Sequence, residues 1–165
     1  MTFYKSIALL AGLGLSVLGQ MAGAEEAGLE GRKVGETIFA SMDPTGRGYI
    51  HGGDLEQFRA LVFDGMDTDE DARITYAEFA SWDPGFAYVA EATGRSDAYT
   101  TASKIVFAFW DRNGDGEMTE TEMRLAMTAD FRRADLDDDA QLSQEEFLMG
   151  FPIMLAMRAA LRPDL

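Results

Sequence analysis

The sequence predicts an all-α fold, four repeated helix–loop–helix units gathered into one compact domain. Three observations predict it. The same twelve-residue frame begins at Asp43, Asp67, Asp111 and Asp135. Apolar residues stand at fixed offsets around every frame. The intervals between frames leave room for whole helices and little else.

The best-formed frame, Asp111 to Glu122, reads D-R-N-G-D-G-E-M-T-E-T-E. Asp111, Asn113 and Asp115 at positions 1, 3 and 5 direct side-chain oxygens toward one point. Gly116 at position 6 permits the sharp turn. Glu117 at position 7 offers its backbone carbonyl, and Thr119 at position 9 ligates directly or holds a water. Glu122 at position 12 closes the shell with two oxygens. This is an oxygen cage for a hard cation such as Ca2+.

Two further frames repeat the donor set. Asp135 to Glu146 supplies Asp135, Asp137, Asp139, the Gln141 carbonyl, Ser143 and Glu146. Asp67 to Glu78 supplies Asp67, Asp69, Asp71, the Arg73 carbonyl, Thr75 and Glu78. Both have alanine at position 6, Ala72 and Ala140, where a left-handed backbone is expected. That conformation costs about 1–2 kcal/mol for a residue with a Cβ, so at least one loop is expected to bind at micromolar strength or weaker. Mg2+, which resists so large a shell, is expected to compete poorly at a bidentate Glu78, Glu122 or Glu146.

The frame from Asp43 to Asp54 keeps Gly48 at position 6 and Ile50 at position 8. Its chemistry is poor. Arg47 brings a positive charge to position 5, and Asp54 is one methylene shorter than the usual glutamate. This loop is expected to be a structural relic without an ion, with His51 a surface residue rather than a ligand.

The connecting segments read as helices. Lys33 to Met42 places Val34, Ile38, Phe39 and Met42 at helical spacing. Leu55 to Met66 carries Leu55, Phe58, Val62, Phe63 and Met66 on one side. Phe79 to about Ala92 is expected to kink near Asp83, at Pro84-Gly85. Thr93 to Ala98 reads as a turn, and Thr100 or Thr101 as the cap of a helix carrying Ile105, Val106, Phe107, Phe109 and Trp110. Glu120 to Ala134 is a single amphipathic helix. Glu145 to Leu161 closes the domain, with Pro152 opening a fresh turn.

Phe39, Phe63, Phe107 and Phe131 each lie four residues before a frame, and Met42, Met66, Trp110 and Ala134 one before. Ile50, Ile74, Met118 and Leu142 hold position 8. Leu55, Phe79, Met123 and Phe147 follow the loops. All are expected in the core. Frames one and two start 24 residues apart, as do three and four. The helix between such neighbours is about 20 Å long at 1.5 Å per residue, which sets sequential loops at its opposite ends. Loop two should therefore pair with loop three, and loop one with loop four. About six main helices result.

Residues 1–24 resemble a secretory signal: Lys5, an apolar run from Ile7 to Leu18, then Ala22-Gly23-Ala24. Residues 25–32 read as a flexible leader and 33–161 as the domain. The run is short for a membrane span, so no stable membrane insertion is expected after signal removal. The absence of cysteine rules out a disulfide framework. Formal charge is −15; without Lys5, 13 basic residues face 29 acidic ones, a charge of −16. Such a balance repels nucleic acid and anionic lipid. The acids concentrate in the frames, where they form a sink for cations.

These loops and their flanking phenylalanines resemble the EF-hand superfamily over about Lys33 to Phe151. The resemblance implies Ca2+ as the bound ion, in helix–loop–helix units paired by short strands. The compressed spacing and the signal are similar to those of small exported bacterial EF-hand proteins, in part to the lanmodulins, periplasmic lanthanide binders. The lanmodulin loops carry proline at position 2, found here only as Pro44, and a carboxylate at position 9, where this chain has Thr75, Thr119 and Ser143. The expected function is a periplasmic or secreted calcium sensor or buffer, monomeric, using up to three loops. A lanthanide binder and a calcium-stabilised adaptor of another exported protein are the alternatives. Catalysis is not expected: no nucleophile–base pair stands out, and His51 is the single histidine. Eight methionines outside the signal fill a core by default, yet soft side chains also suit a partner groove that calcium opens. Met154 and Met157, beside Phe151, Leu155 and Leu161, are the best candidates for such an apolar face.

Overall fold

Beyond Met42, Pro, Gly and the loop frames cut the chain into helices of at most 15 residues. The computed structural model describes the backbone of residues 10–162 and the side chains of 25–162. The elements are α1 (Leu10–Met42), β1 (Tyr49–His51), α2 (Gly52–Met66), β2 (Arg73–Thr75), α3 (Tyr76–Ser81) and α4 (Phe86–Ala92). They continue with α5 (Ser96–Trp110), β3 (Glu117–Thr119), α6 (Glu120–Ala134), β4 (Gln141–Ser143), α7 (Gln144–Gly150) and α8 (Pro152–Leu161). Helices dominate, as expected of an all-α chain. There are eight among the described residues, not six. Pro84-Gly85 separates α3 from α4, and Pro152, in the first turn of α8, separates it from α7.

The strands form two antiparallel ladders. β1 pairs with β4, placing Ile50 opposite Leu142. β2 pairs with β3, placing Ile74 opposite Met118. These are the neighbours that the 24-residue intervals anticipate. The four facing residues have no exposed surface, so the apolar position 8 anchors each ladder to the core.

Every residue at the repeated offsets, from Phe39 to Phe147, is buried in one core. Aromatic rings gather beneath each ladder. Phe39 meets Phe147 with centroids 5.8 Å apart, and Phe147 meets Phe151 at 5.3 Å. Under the other ladder, Phe107 lies 5.5 Å from both Tyr76 and Phe79, and Phe79 contacts Trp110 at 6.3 Å. Such tilted and edge-on pairs suit the ring quadrupoles. Arg59 of α2, 2% exposed, donates to Glu56 on its own helix and crosses to Glu120 of α6.

Two expectations are corrected. The segment 25–32, expected to be a flexible leader, is part of α1. Its glycines explain why it seats so closely. A Cβ at Gly31 would stand 2.8 Å from Leu161 Cδ1, and one at Gly35, 2.5 Å from Leu148 Cδ2. Ala27 is buried, and Arg32 donates to Glu36 and to Glu145 across the interface. Second, α5 begins at Ser96 with Arg95 as its cap residue, upstream of Thr100 and Thr101. At the C-terminus the methionines of α8 fill the core, their default role. Met154 and Met157 are each 5% exposed, Phe151 and Leu161 are buried, and only Leu155 is exposed. Helix α8 lies against α1 and α5, which cover its apolar face.

The expected signal, 1–24, lies outside the described side chains, and residues 1–9 outside the described backbone. Among the described residues, no helix is long and apolar enough to cross a membrane.

Candidate metal centres

Each loop is suspended between two helix ends by the same bonds. The backbone N–H of position 1 donates to the carbonyl of the phenylalanine four residues earlier. Asp43 meets Phe39 at 3.0 Å, Asp67 meets Phe63 at 2.9 Å, Asp111 meets Phe107 at 2.8 Å and Asp135 meets Phe131 at 3.0 Å. Thus the ring that anchors the incoming helix also fixes where the loop begins. At the far side, position 9 caps the next helix. Thr75, Thr119 and Ser143 accept from the backbone N–H of Glu78, Glu122 and Glu146, whose carboxylates reach back to the cap residue's N–H. These are capping boxes.

Within the loops, the position 1 carboxylate gathers the turn. Asp67 accepts from the N–H of Asp71 at 3.1 Å and of Ala72 at 3.0 Å. Asp135 does the same with Asp139 and Ala140, both at 3.1 Å. Asp111 accepts from Gly114 at 2.8 Å, Asp115 at 3.3 Å and Gly116 at 2.9 Å. Position 5 then accepts from position 7: Arg73 donates to Asp71, Glu117 to Asp115 and Gln141 to Asp139. The carbonyl donors expected at Arg73, Glu117 and Gln141 therefore open β2, β3 and β4. Arg73 also clasps Glu117 across the ladder at 2.7 Å.

Position 12 folds over the top. Glu78 accepts from the N–H and hydroxyl of Thr68 and of Thr75, each at 2.9 Å. These donors hold its carboxyl down at about 2. Glu146 is lowered too, first by the Ser143 N–H, with Leu136 adding a bond from position 2. Burial pushes Glu122 up, but bonds from Thr119 and the Asn113 N–H leave it lowered.

The structure brings oxygens of Asp67, Asp69 and Asp71 within 4.8 Å of one another, and likewise those of Asp135, Asp137 and Asp139. Asp69 is pushed up by partial desolvation and by the charges of Asp71, Glu78 and Asp67. A cation placed among them would relieve that repulsion. In the middle loop Asn113 supplies a neutral oxygen between Asp111 and Asp115, and its amide nitrogen lies 3.0 Å from Asp115.

Two features escaped the sequence reading. Position 4 is left-handed as well as position 6: Glu70 at φ 60° with Ala72 at 66°, and Asp138 at 59° with Ala140 at 64°. Gly46 and Gly114 at position 4 of the other loops were the available signal. The capping role of positions 9 and 12 was also missed, although T-x-x-E and S-x-x-E are legible.

No protein-family model and no curated protein matches this chain. The reading of the site therefore rests on its donors. They are oxygens at fixed positions, and two aspartate triplets converge. Such a set suits holding a hard cation.

Proposed function

We propose that this chain is an EF-hand calcium-binding protein, exported to the periplasm or beyond the cell, which acts as a sensor or buffer. Ca2+ would be held in three loops: by Asp67, Asp69, Asp71, the Arg73 carbonyl, Thr75 and Glu78; by Asp111, Asn113, Asp115, the Glu117 carbonyl, Thr119 and Glu122; and by Asp135, Asp137, Asp139, the Gln141 carbonyl, Ser143 and Glu146. The convergence of two aspartate triplets within 4.8 Å, each with a glutamate seven residues on, carries this reading. Ca2+ takes six to eight oxygens in a flexible shell, and exported modules work near about 10^-4 to 10^-3 M. The protein itself is not read as an enzyme.

A lanthanide role is the second reading, and the donor charge favours it at two loops. The loops from Asp67 and Asp135 each offer four carboxylates at positions 1, 3, 5 and 12, whereas Asn113 leaves the middle loop with three. A trivalent ion gains more than a divalent one from each added carboxylate. An adaptor role would need α8 to lift from α1 and α5, since Met154 and Met157 are covered while it is seated.

Titration of residues 25–165 with Ca2+, Mg2+ and La3+, following heat and helicity together, tests the proposal. We expect saturable Ca2+ uptake, weak Mg2+ competition and a tighter La3+ response at the four-carboxylate loops. A folded chain taking up no ion at millimolar Ca2+ would overturn it.

A further inference from the structure

The first loop shares the backbone of the others and carries a different filling. Gly46 and Gly48 take the same left-handed turns, at φ 67° and 86°. Asp43 gathers the N–H groups of Arg47 at 3.0 Å and Gly48 at 2.7 Å, as Asp67 and Asp135 do in their own loops. The loop is therefore closed. What closes it is visible in the side chain of Arg47. Its Nη2 donates to Asp54 Oδ2 at 2.7 Å and its Nε to Asp43 Oδ1 at 3.3 Å. Those are the carboxylates of positions 12 and 1. The guanidinium carbon lies 5.1 Å from the Tyr49 ring centre, at the start of β1, and Nη1 lies 3.4 Å from His51 Nε2. One planar cation thus meets positions 1, 7, 9 and 12 of its own loop.

Burial makes the arrangement matter. The Asp43 side chain is 4% exposed, Asp54 15% and Arg47 29%. Two carboxylates so far from water need a counter-charge, and charge-assisted bonds to guanidinium are stronger there than on an open surface. Asp54 also accepts from the His51 N–H at 2.9 Å, which fixes the end of β1 at the start of α2.

We propose that Arg47 is the resident cation of the first loop and, through β1, a positioning residue for the fourth. The guanidinium stands where the other loops direct their donors, so Tyr49–His51 is held extended with no ion taken up. Gln141–Ser143 then closes on a strand that is already in place. The fourth loop orders only itself when it fills, whereas the second and third must order each other. The effect on the affinity of the fourth loop rests on the function proposed above; the closure of the first loop does not.

The test is hydrogen exchange with chelator present, comparing the native chain with Arg47→Met, which keeps length and removes charge. We expect amides of 49–51 and 141–143 to exchange about tenfold or more faster in Arg47→Met, with 73–75 and 117–119 little changed. Arg47→Lys should fall between, since an ammonium keeps the charge but cannot span both carboxylates. Equal protection of 49–51 in Arg47→Met and native chain, or equal acceleration of all four strands, would overturn the proposal. Because that arm contains no ion, it stands even if the native chain proves to bind none. Calorimetry of the same variants then reads the linked effect: a several-fold loss of affinity at the fourth loop alone.

Discussion

At Ala72 and Ala140 the chain holds a methyl group in the left-handed region, at φ 66° and 64°. The cost is about 1–2 kcal/mol at each, partly offset in glycine by its greater freedom when unfolded. Ala72→Gly or Ala140→Gly should therefore stabilise the chelated protein by about 0.5–1 kcal/mol in a urea unfolding curve. No gain would mean that the N–H bonds to Asp67 and Asp135 already hold the turn at no cost. Glu78 makes a different prediction. Its carboxyl lies near 2, below its ordinary 4.5, so its stabilising bonds are fully present above about pH 4.5. They are lost as pH falls through about 2. Glu78→Gln should flatten the acid limb of chelated stability over that window. Glu122→Gln belongs to the middle loop, where it should abolish one calorimetric site; unchanged stoichiometry and affinity would contradict its role. At this scale the alternating aspartates from Asp67 and Asp135 were legible in the sequence, and the fold gathers each triplet. The left-handed Glu70 and Asp138 were signalled only indirectly, by Gly46 and Gly114 at the same position of the other loops. The capping by Glu78, Glu122 and Glu146 was written in the sequence as T-x-x-E and S-x-x-E, beneath the stronger pattern of the frames.

Between elements, the clearest constraint is the approach of α7 to α6. A Cβ on Gly150 would meet Ala134 Cα at 2.9 Å, Cβ at 3.1 Å and the carbonyl oxygen at 3.2 Å. A neighbour that is backbone cannot turn aside. Gly150→Ala should destabilise the protein by about 1–3 kcal/mol, the usual cost of overpacking. Thermal unfolding measures it, and a neutral result would mean that α7 can shift as a body. The ladders were legible before the structure because Ile50, Ile74, Met118 and Leu142 recur at position 8 and the 24-residue interval separates sequential loops. The start of α5 was not. Thr100 and Thr101 looked like caps, but the Tyr99 N–H bonds back to Arg95 and carries the helix an extra turn upstream. Nor was the helix over 25–32 evident. Gly28 and Gly31 suggest a loose segment in isolation; it takes α8 as a partner to show that Gly31 is a point of close approach. Nor does anything local tell that α1 and α5 cover the face of Met154 and Met157.

Over the whole molecule, charge and packing pull in opposite directions. The apolar core is continuous beneath both ladders, while 29 acidic residues face 14 basic ones. The basic residues are spent largely in pairs away from the aspartate triplets, such as Arg59 and Arg124 with Glu56 and Glu120, and Arg32 with Glu145. The carboxylates in the loops of Asp67 and Asp135 are held by backbone N–H groups together with the hydroxyls of Thr68, Thr75 and Ser143 and the Gln141 amide. Two effects of added salt can then be separated. Sodium chloride screens repulsion between exposed acids over about 10 Å at 0.1 M, so it should raise the melting temperature of the chelated protein modestly. Calcium that binds the folded chain adds a mass-action gain, about 2.7 kcal/mol per site at a hundred times its dissociation constant. Calcium at millimolar concentration should therefore stabilise far more than sodium chloride of equal ionic strength, and more than Mg2+. Subsequent chelation should return the melting curve to its starting point. If the three salts act alike at matched ionic strength, the carboxylates are a diffusely screened surface and the loops are not cages.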